Sequence, residues 1–88
     1  MLGDTKSDAL KRVAYIDGHI QGVRKMIDED RYCVDVIRQT YAIRRALQKL
    51  ESVLIDGHLR SCVPDAYREG RDEQMLTELK DLFEISER

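Results

Sequence analysis

Apolar residues recur at intervals of three and four positions over two long stretches of the chain. From about Thr5 to Glu29 this spacing predicts a helix of medium length with one apolar face. From about Arg31 to Cys62 it predicts a longer helix, because nothing interrupts the period before Gly57 and Pro64 disfavours helical backbone at the residue before it. The apolar positions are Leu10, Val13, Ile16, Ile20, Val23 and Ile27, then Val36, Ile37, Tyr41, Ile43, Leu47, Leu50 and Leu54.

A third apolar stretch follows the segment PDAYREGRD and predicts a short amphipathic helix with an acidic outer face. Its apolar positions are Met75, Leu76, Leu79, Leu82 and Phe83. No repeat and no strand-like alternation is visible, so the pattern predicts one all-α domain over residues 1–88 with three helices, medium, long and short. A helix of about 30 residues is long for a globular domain. It favours a bundle shared between chains, since small domains are often stabilised by oligomerisation.

Composition and charge limit the possible functions. With 42% hydrophobic and 36% charged residues, the chain is typical of a folded globular protein. It has no apolar run of about 18–20 residues and no signal-peptide core, so we expect a cytoplasmic protein without a membrane partner. The net charge of −2 does not favour nucleic-acid binding. However, residues 36–50 hold basic residues and no acid. Oligomerisation would merge such basic patches into a wider positive face. The alternative interpretation is that they are solvated charges on a helix surface.

The residues with metal-binding chemistry are two cysteines and a histidine. His58 and Cys62 are four positions apart, which places their Cβ atoms on one helix face about 5–6 Å apart. Cys33 precedes His58 by about 25 residues, or about 40 Å along the same predicted helix. One chain therefore cannot bring the three together. Two long helices packed antiparallel can, and each site would then take Cys33 from one subunit and His58 and Cys62 from another.

Two thiolates and one imidazole form a soft ligand set that selects Cu(I), zinc or iron–sulfur clusters. Structural zinc prefers four ligands, so a set of three favours Cu(I). Spacing alone leaves a second interpretation open, because free cysteines are commonly buried packing residues. A disulfide is disfavoured in a reducing compartment. We expect His19 to be a structural or a surface residue. The sequence shows no nucleophile–base pair and no cofactor motif, so we do not expect an enzyme.

Three segments of the chain resemble the copper-sensing CsoR family of bacterial repressors. They are KRVAYIDGHIQGVRKMI, RYCVDVIRQTYAIRRAL and HLRSC, and the resemblance covers nearly the whole chain. The family also includes sensors of nickel or cobalt, formaldehyde and persulfide. The resemblance implies an antiparallel four-helix-bundle dimer that assembles as a dimer of dimers. It also implies a repressor that binds operator DNA without a helix-turn-helix and is released by its effector.

The ligand positions distinguish the members of that family. Copper sensors carry a Cys–His–Cys set, which Cys33, His58 and Cys62 match, whereas the other sensors differ at one or more of these positions. The resemblance thus implies a Cu(I)-responsive repressor of copper-resistance genes. Two alternatives are a thiol-based sensor of persulfide or aldehyde in the same family and a copper carrier that binds no DNA.

The resemblance also implies roles for residues outside the ligand set. It implies that Tyr32 and Glu78 connect metal binding to the change in DNA affinity, through an outer hydrogen bond of the metal-bound imidazole. Arg12 matches a basic position of the family's DNA-binding surface. Further DNA-binding candidates are Arg38, Arg44, Arg45 and Lys49.

Overall fold

The computed structural model describes residues 1–87, and all the regular structure in that range is helical. Helix α1 spans Gly3–Asp28, α2 spans Cys33–Gly57, a π-helical turn spans His58–Cys62, α3 spans Val63–Arg68 and α4 spans Asp72–Ser86. Because α2, the π turn and α3 follow one another without a break, they form one long helix. The structure thus confirms the prediction of a medium, a long and a short helix.

The long helix ends later than the sequence pattern predicted. The prediction that it stops at Cys62 because of Pro64 is wrong, since helical structure continues to Arg68. Proline normally breaks a helix because its ring clashes with the carbonyl four residues earlier. Here the turn just before Pro64 is widened, and the Val63 N–H bonds to the carbonyl of His58, five residues back. The wider turn moves the preceding carbonyls away from the ring, so the backbone can stay helical.

Helices α1 and α2 form an antiparallel hairpin closed by a tight turn. Asp30 has a φ of 55°, in the left-handed region that Asp tolerates better than most residues. The Arg31 N–H then bonds to the Met26 carbonyl at 2.9 Å, which is typical of a Schellman-type helix end. The hairpin brings α1 against the long helix and buries Ala9, Ile16 and Val23, which are seven positions apart.

Much of the apolar surface remains uncovered in a single chain. The molecule is elongated, 55 × 29 × 14 Å, and Leu10, Ile27 and Phe83 are 58%, 60% and 70% exposed. Soluble monomers rarely expose apolar surface on this scale. Such a surface is typical of a subunit whose core is completed by other copies. None of the described helices is both long and apolar enough to cross a membrane.

Candidate metal half-site and basic groove

His58 and Cys62 lie in the π turn and line the same cavity. The cavity has a volume of about 290 Å³ and lies between the π turn, α3 and α4. His58 is half-buried and Cys62 is exposed. The remaining lining residues are Asp65, Ala66, Glu69, Arg71, Gln74, Met75 and Glu78. One chain therefore presents an imidazole and a thiol to a common space, which is half of the predicted metal site.

The backbone before His58 is held tightly against α1. Gly57 is buried, and a Cβ atom at this position would lie 2.5 Å from Thr5 Cγ2 and 3.0 Å from Thr5 Cβ. Only glycine permits this close approach. The contact fixes the first turns of α1 beside the residue that precedes the predicted ligand.

Ser61, which the sequence pattern did not single out, supports the widened turn. Its hydroxyl donates a 2.8 Å hydrogen bond to the Gly57 carbonyl and lies 3.7 Å from Cys62 Sγ. A serine that bonds back to the carbonyl four residues earlier is a common feature of distorted helices. Its position directly before Cys62 was the feature of the sequence that could have identified it. The hydroxyl supports the turn and is a polar neighbour of the thiol.

Glu78 and Tyr32 occupy different ends of the molecule. Glu78 lies on α4, lines the cavity with His58, and accepts a 3.3 Å hydrogen bond from Gln74 Nε2. Tyr32 directly precedes α2 and is 66% exposed. Within one chain, the structure thus brings Glu78 but not Tyr32 to the cavity of His58. Tyr32 instead lies next to Cys33, so any contact with His58 requires a second subunit.

Cys33 begins α2 and is separated from the cavity by the full length of that helix. At about 1.5 Å per residue the separation is about 40 Å. Residues 1–87 contain no group of three His, Cys, Asp or Glu side chains that could hold a metal ion. Both thiols are free and exposed, so neither cysteine is a core side chain of the subunit. The three predicted ligands thus form a two-residue half-site and a distant cysteine.

A second feature is a groove of about 410 Å³ between α1 and the long helix. Its lining residues are Lys11, Arg12 and Tyr15 from α1, with Ala42, Arg45, Ala46 and Lys49 from α2. The α2 residues follow the helical period and share one face. Lysine and arginine side chains from both helices meet over two small alanines, and this groove is called the basic groove below.

The charges of the basic groove are only partly neutralised. Arg12 Nε donates a 3.0 Å hydrogen bond to Asp8 Oδ1 within α1. Lys11, Arg45 and Lys49 form no ion pair with any described residue. These cations are therefore available to an anionic partner, whereas Arg12 shares its charge with Asp8.

The other DNA-binding candidates are outside this groove. Arg44 lies over the Tyr41 ring at 5.7 Å and, with Arg45, lines an adjacent hollow. Arg38 is exposed and lines neither feature. The structure thus brings together Arg12, Arg45 and Lys49. Sequence reasoning missed Lys11 and Tyr15, although both lie within one turn of Arg12.

Comparison with known proteins places this architecture among bacterial repressors. Residues 5–85 match the family model described as metal-sensitive transcriptional repressor. The copper-sensing transcriptional repressor CsoR of Bacillus subtilis (strain 168) is 36% identical over 78 residues, which cover 89% of this chain and 77% of that protein. The copper-sensing transcriptional repressor RicR of Mycobacterium tuberculosis (strain ATCC 25618 / H37Rv) is 40% identical over 65 residues, covering 74% and 68%.

Two solved structures are similar over most of their length. The copper-sensing repressor CsoR with Cu(I) from Geobacillus thermodenitrificans NG80-2 superposes with a TM-score of 0.90 at 35% identity, covering 100% of this chain and 92% of that one. The nickel-responsive transcriptional regulator InrS gives a TM-score of 0.72 at 37% identity, covering 89% and 88%. The higher TM-score is thus with the copper-sensing protein.

Proposed function

The chain belongs to the family of metal-sensitive transcriptional repressors, and we propose that it is a Cu(I)-responsive repressor of copper-resistance genes. The metal-free oligomer binds operator DNA, and Cu(I) binding releases it. The observation that carries the proposal is the cavity that His58 and Cys62 share, while Cys33 lies at the far end of the same helix. The similarity to proteins named as copper-sensing repressors supports it.

The residues present fit Cu(I). An imidazole and thiolates are soft donors, and a set of three matches the low coordination number that Cu(I) accepts. His58 and Cys62 would hold the ion from one subunit and Cys33 from another. When bound, Cu(I) would supply a link between the subunits that provide these residues. The hard oxygen donors of the cavity are suited instead to ions such as Mg²⁺ or Ca²⁺.

The shape of the subunit supports a site shared between chains. Antiparallel packing of two long helices puts the start of one beside the π turn of the other, and the exposed apolar residues of α1 and α4 provide surface for such packing. A two-fold arrangement creates two equivalent sites per dimer. A dimer of dimers would then carry four.

The basic groove is the surface we assign to DNA. Lys11, Arg12, Arg45 and Lys49 would neutralise phosphates, with Arg38 and Arg44 extending the positive surface along the long helix. Phosphate contacts position a protein on DNA and give salt-dependent affinity. The long helix that provides half of this groove also carries His58 and Cys62, so one continuous helical element connects both sites.

Release of DNA requires that Cu(I) binds the DNA-bound oligomer less tightly than the free one. By linkage, DNA then weakens Cu(I) binding by the same factor. Glu78 is positioned to take part, because it lines the cavity of His58 and a metal-bound imidazole has a second N–H to donate. Tyr32 would join from the subunit that provides Cys33.

The experiment is fluorescence anisotropy of the reduced, metal-free protein on DNA from its own promoter, titrated with Cu(I) without oxygen. We expect tight binding that is lost at about one Cu(I) per subunit, the stoichiometry of two equivalent sites per dimer, and is unaffected by Ni(II). Cys33→Ser and Cys62→Ser should bind the DNA and ignore Cu(I). DNA binding that responds to persulfide or aldehyde but not to Cu(I) would contradict the proposal, as would Cu(I) binding without DNA binding.

A further inference from the structure

Tyr15 lines the basic groove, although it carries no charge that could neutralise a phosphate. It is a large aromatic residue, yet it is 65% exposed in the subunit. We propose that the Tyr15 hydroxyl donates a hydrogen bond to a backbone phosphate of double-stranded DNA bound in this groove. The inference rests on the proposed function, and it adds an uncharged hydrogen-bond donor to the cations assigned to DNA there.

Tyr15 shares one face of α1 with the two cations that this helix contributes to the groove. Lys11 is four positions before Tyr15 and Arg12 is three positions before it, and side chains at these spacings are neighbours on a helix. The next residue, Ile16, is buried, so Tyr15 lies at the edge of the contact between α1 and the long helix. A phosphate held by Lys11 and Arg12 would therefore lie beside the Tyr15 side chain.

The Tyr15 ring is supported by a neighbouring ring. It stands edge-on to His19, one turn further along α1, with an angle of 75° between the two ring planes. His19 is itself hydrogen-bonded to Gln39 of the long helix. The tyrosine ring is thus supported by contacts that extend across the helix pair. A side chain held in this way loses less conformational entropy when it binds a ligand.

The Tyr15 hydroxyl is available to a partner. It forms no hydrogen bond with any residue in the range 1–87. Tyrosine hydroxyls are among the groups that bond to phosphate oxygens in protein–DNA complexes. The lysine and arginine side chains around it attract anions into the groove. The hydroxyl would then fix the position of a phosphate that these charges attract.

A purely structural role of Tyr15 predicts different behaviour. Tyr15→Phe keeps the ring and its edge-on contact with His19 and removes only the hydroxyl, so a packing residue would tolerate it. Tyr67→Phe is the matched control, because Tyr67 is 71% exposed and lines neither the basic groove nor the metal cavity. Lys11→Ala provides the comparison with a charged contact in the same groove.

The experiment is fluorescence anisotropy of the reduced, metal-free, full-length protein at several salt concentrations. It uses DNA from its own promoter and unrelated duplex DNA of equal length. We expect Tyr15→Phe to lower the affinity for both DNAs about tenfold, the low end for a hydrogen bond to a charged group. Both DNAs should be affected because phosphates carry no sequence information. Tyr67→Phe should bind like the unsubstituted protein.

The salt dependence distinguishes the hydroxyl from a cation. Tyr15→Phe should keep the slope of log affinity against log salt, because a neutral donor releases no counterion. Lys11→Ala should flatten this slope by about 0.9 for each lost phosphate contact. The Cu(I) affinity of the DNA-free protein should be unchanged in Tyr15→Phe, since Tyr15 does not line the metal cavity.

The outcomes separate this inference from the proposed function. Unchanged DNA affinity in Tyr15→Phe, with a loss in Lys11→Ala, would overturn the role of the hydroxyl and leave the basic groove as the DNA-binding surface. A loss in Tyr15→Phe on the promoter DNA alone would mean that Tyr15 contacts a base, which would overturn the phosphate contact. Failure of the unsubstituted protein to bind either DNA at low salt would refute the proposed function itself.

Discussion

A hydrogen bond of 2.7 Å joins His19 Nε2 on α1 to Gln39 Oε1 on the long helix. Among the described residues it is the one side-chain hydrogen bond that joins positions more than four apart. The Tyr15 ring, which lines the basic groove, stands edge-on to His19 with ring centroids 5.9 Å apart. His19 thus fixes the register of the two helices that form the groove, which agrees with its expected structural role.

Removal of this hydrogen bond should weaken DNA binding by the metal-free protein. We expect His19→Ala and Gln39→Met each to lower operator affinity about fivefold to tenfold, since a half-buried hydrogen bond contributes about 1 kcal/mol. The affinity for Cu(I) should be unchanged, because neither residue lines the metal cavity. Anisotropy and Cu(I) competition titrations measure the two affinities.

The double variant tests whether the two residues act through each other. His19→Ala combined with Gln39→Met should be no weaker than either single variant, because a shared interaction is lost only once. Gln21→Met is the control, since Gln21 is exposed on α1, the helix that carries His19. Additive losses in the double variant would mean that His19 and Gln39 affect DNA binding separately.

A site shared between subunits predicts that two inactive variants restore each other. Cys33→Ser and Cys62→Ser should each fail to bind Cu(I) tightly, because every site then lacks one thiolate. After subunit exchange, half of the dimers are mixed and each mixed dimer has one intact site, so the mixture should bind about a quarter of the wild-type copper. Copper-dependent absorbance under a competing chelator measures the recovered sites.

The matching control uses variants that damage the same end of the long helix. His58→Ala mixed with Cys62→Ser should recover nothing, because in a mixed dimer each site then contains one damaged half. Recovery in this pair, or its absence in the first, would show that the ligands are not divided between subunits as we propose.

The spacing of apolar residues was enough to predict the three helices, but it did not predict that the long helix continues past Pro64. A proline signals a helix end because its ring clashes with the preceding turn, and the sequence contains no sign that a π turn would relieve that clash. The same limitation applies to the cavity. The spacing of His58 and Cys62 placed both on one face, yet the position of Met75 in the cavity depends on how α3 and α4 pack.

The residues of the basic groove were also predictable only in part. The acid-free run from Val36 to Leu50 identified Arg45 and Lys49 as candidates, because a charge run is visible in the sequence. The contribution of Lys11 and Tyr15 was not visible, since it depends on the register that the α1–α2 hairpin fixes. For the same reason, the sequence did not reveal that Arg38 lies outside the groove.

The contact between Thr5 and Gly57 predicts a stability defect that a second substitution relieves. Gly57→Ala should destabilise the metal-free protein by about 1–3 kcal/mol, because the new methyl group overlaps Thr5 and α1 must move. Thr5→Ala removes the two nearest atoms, at 2.5 and 2.6 Å, so the double variant should regain most of the loss. Urea unfolding at a fixed protein concentration measures both effects.

Gly18→Ala provides the comparison for this pair. Gly18 is also inside a helix, but a Cβ atom there meets nothing within 4 Å in the chain. Alanine should therefore stabilise α1 slightly through its higher helix propensity. If Gly57→Ala changed the stability no more than Gly18→Ala does, the close contact between Thr5 and Gly57 would be contradicted.

The ion pair of Arg12 with Asp8 predicts that loss of an acid strengthens DNA binding. Asp8→Asn removes a negative charge beside the basic groove and frees Arg12 for phosphate. Operator affinity should therefore rise, and the slope of log affinity against log salt should steepen by about 0.9 for each new phosphate contact.

Asp56→Asn is the control, because Asp56 pairs with Arg60 in the same four-residue spacing away from the groove. Arg45→Ala should have the opposite effect on both quantities. Equal slopes for Asp8→Asn, Asp56→Asn and Arg45→Ala would exclude the groove as the DNA-binding surface.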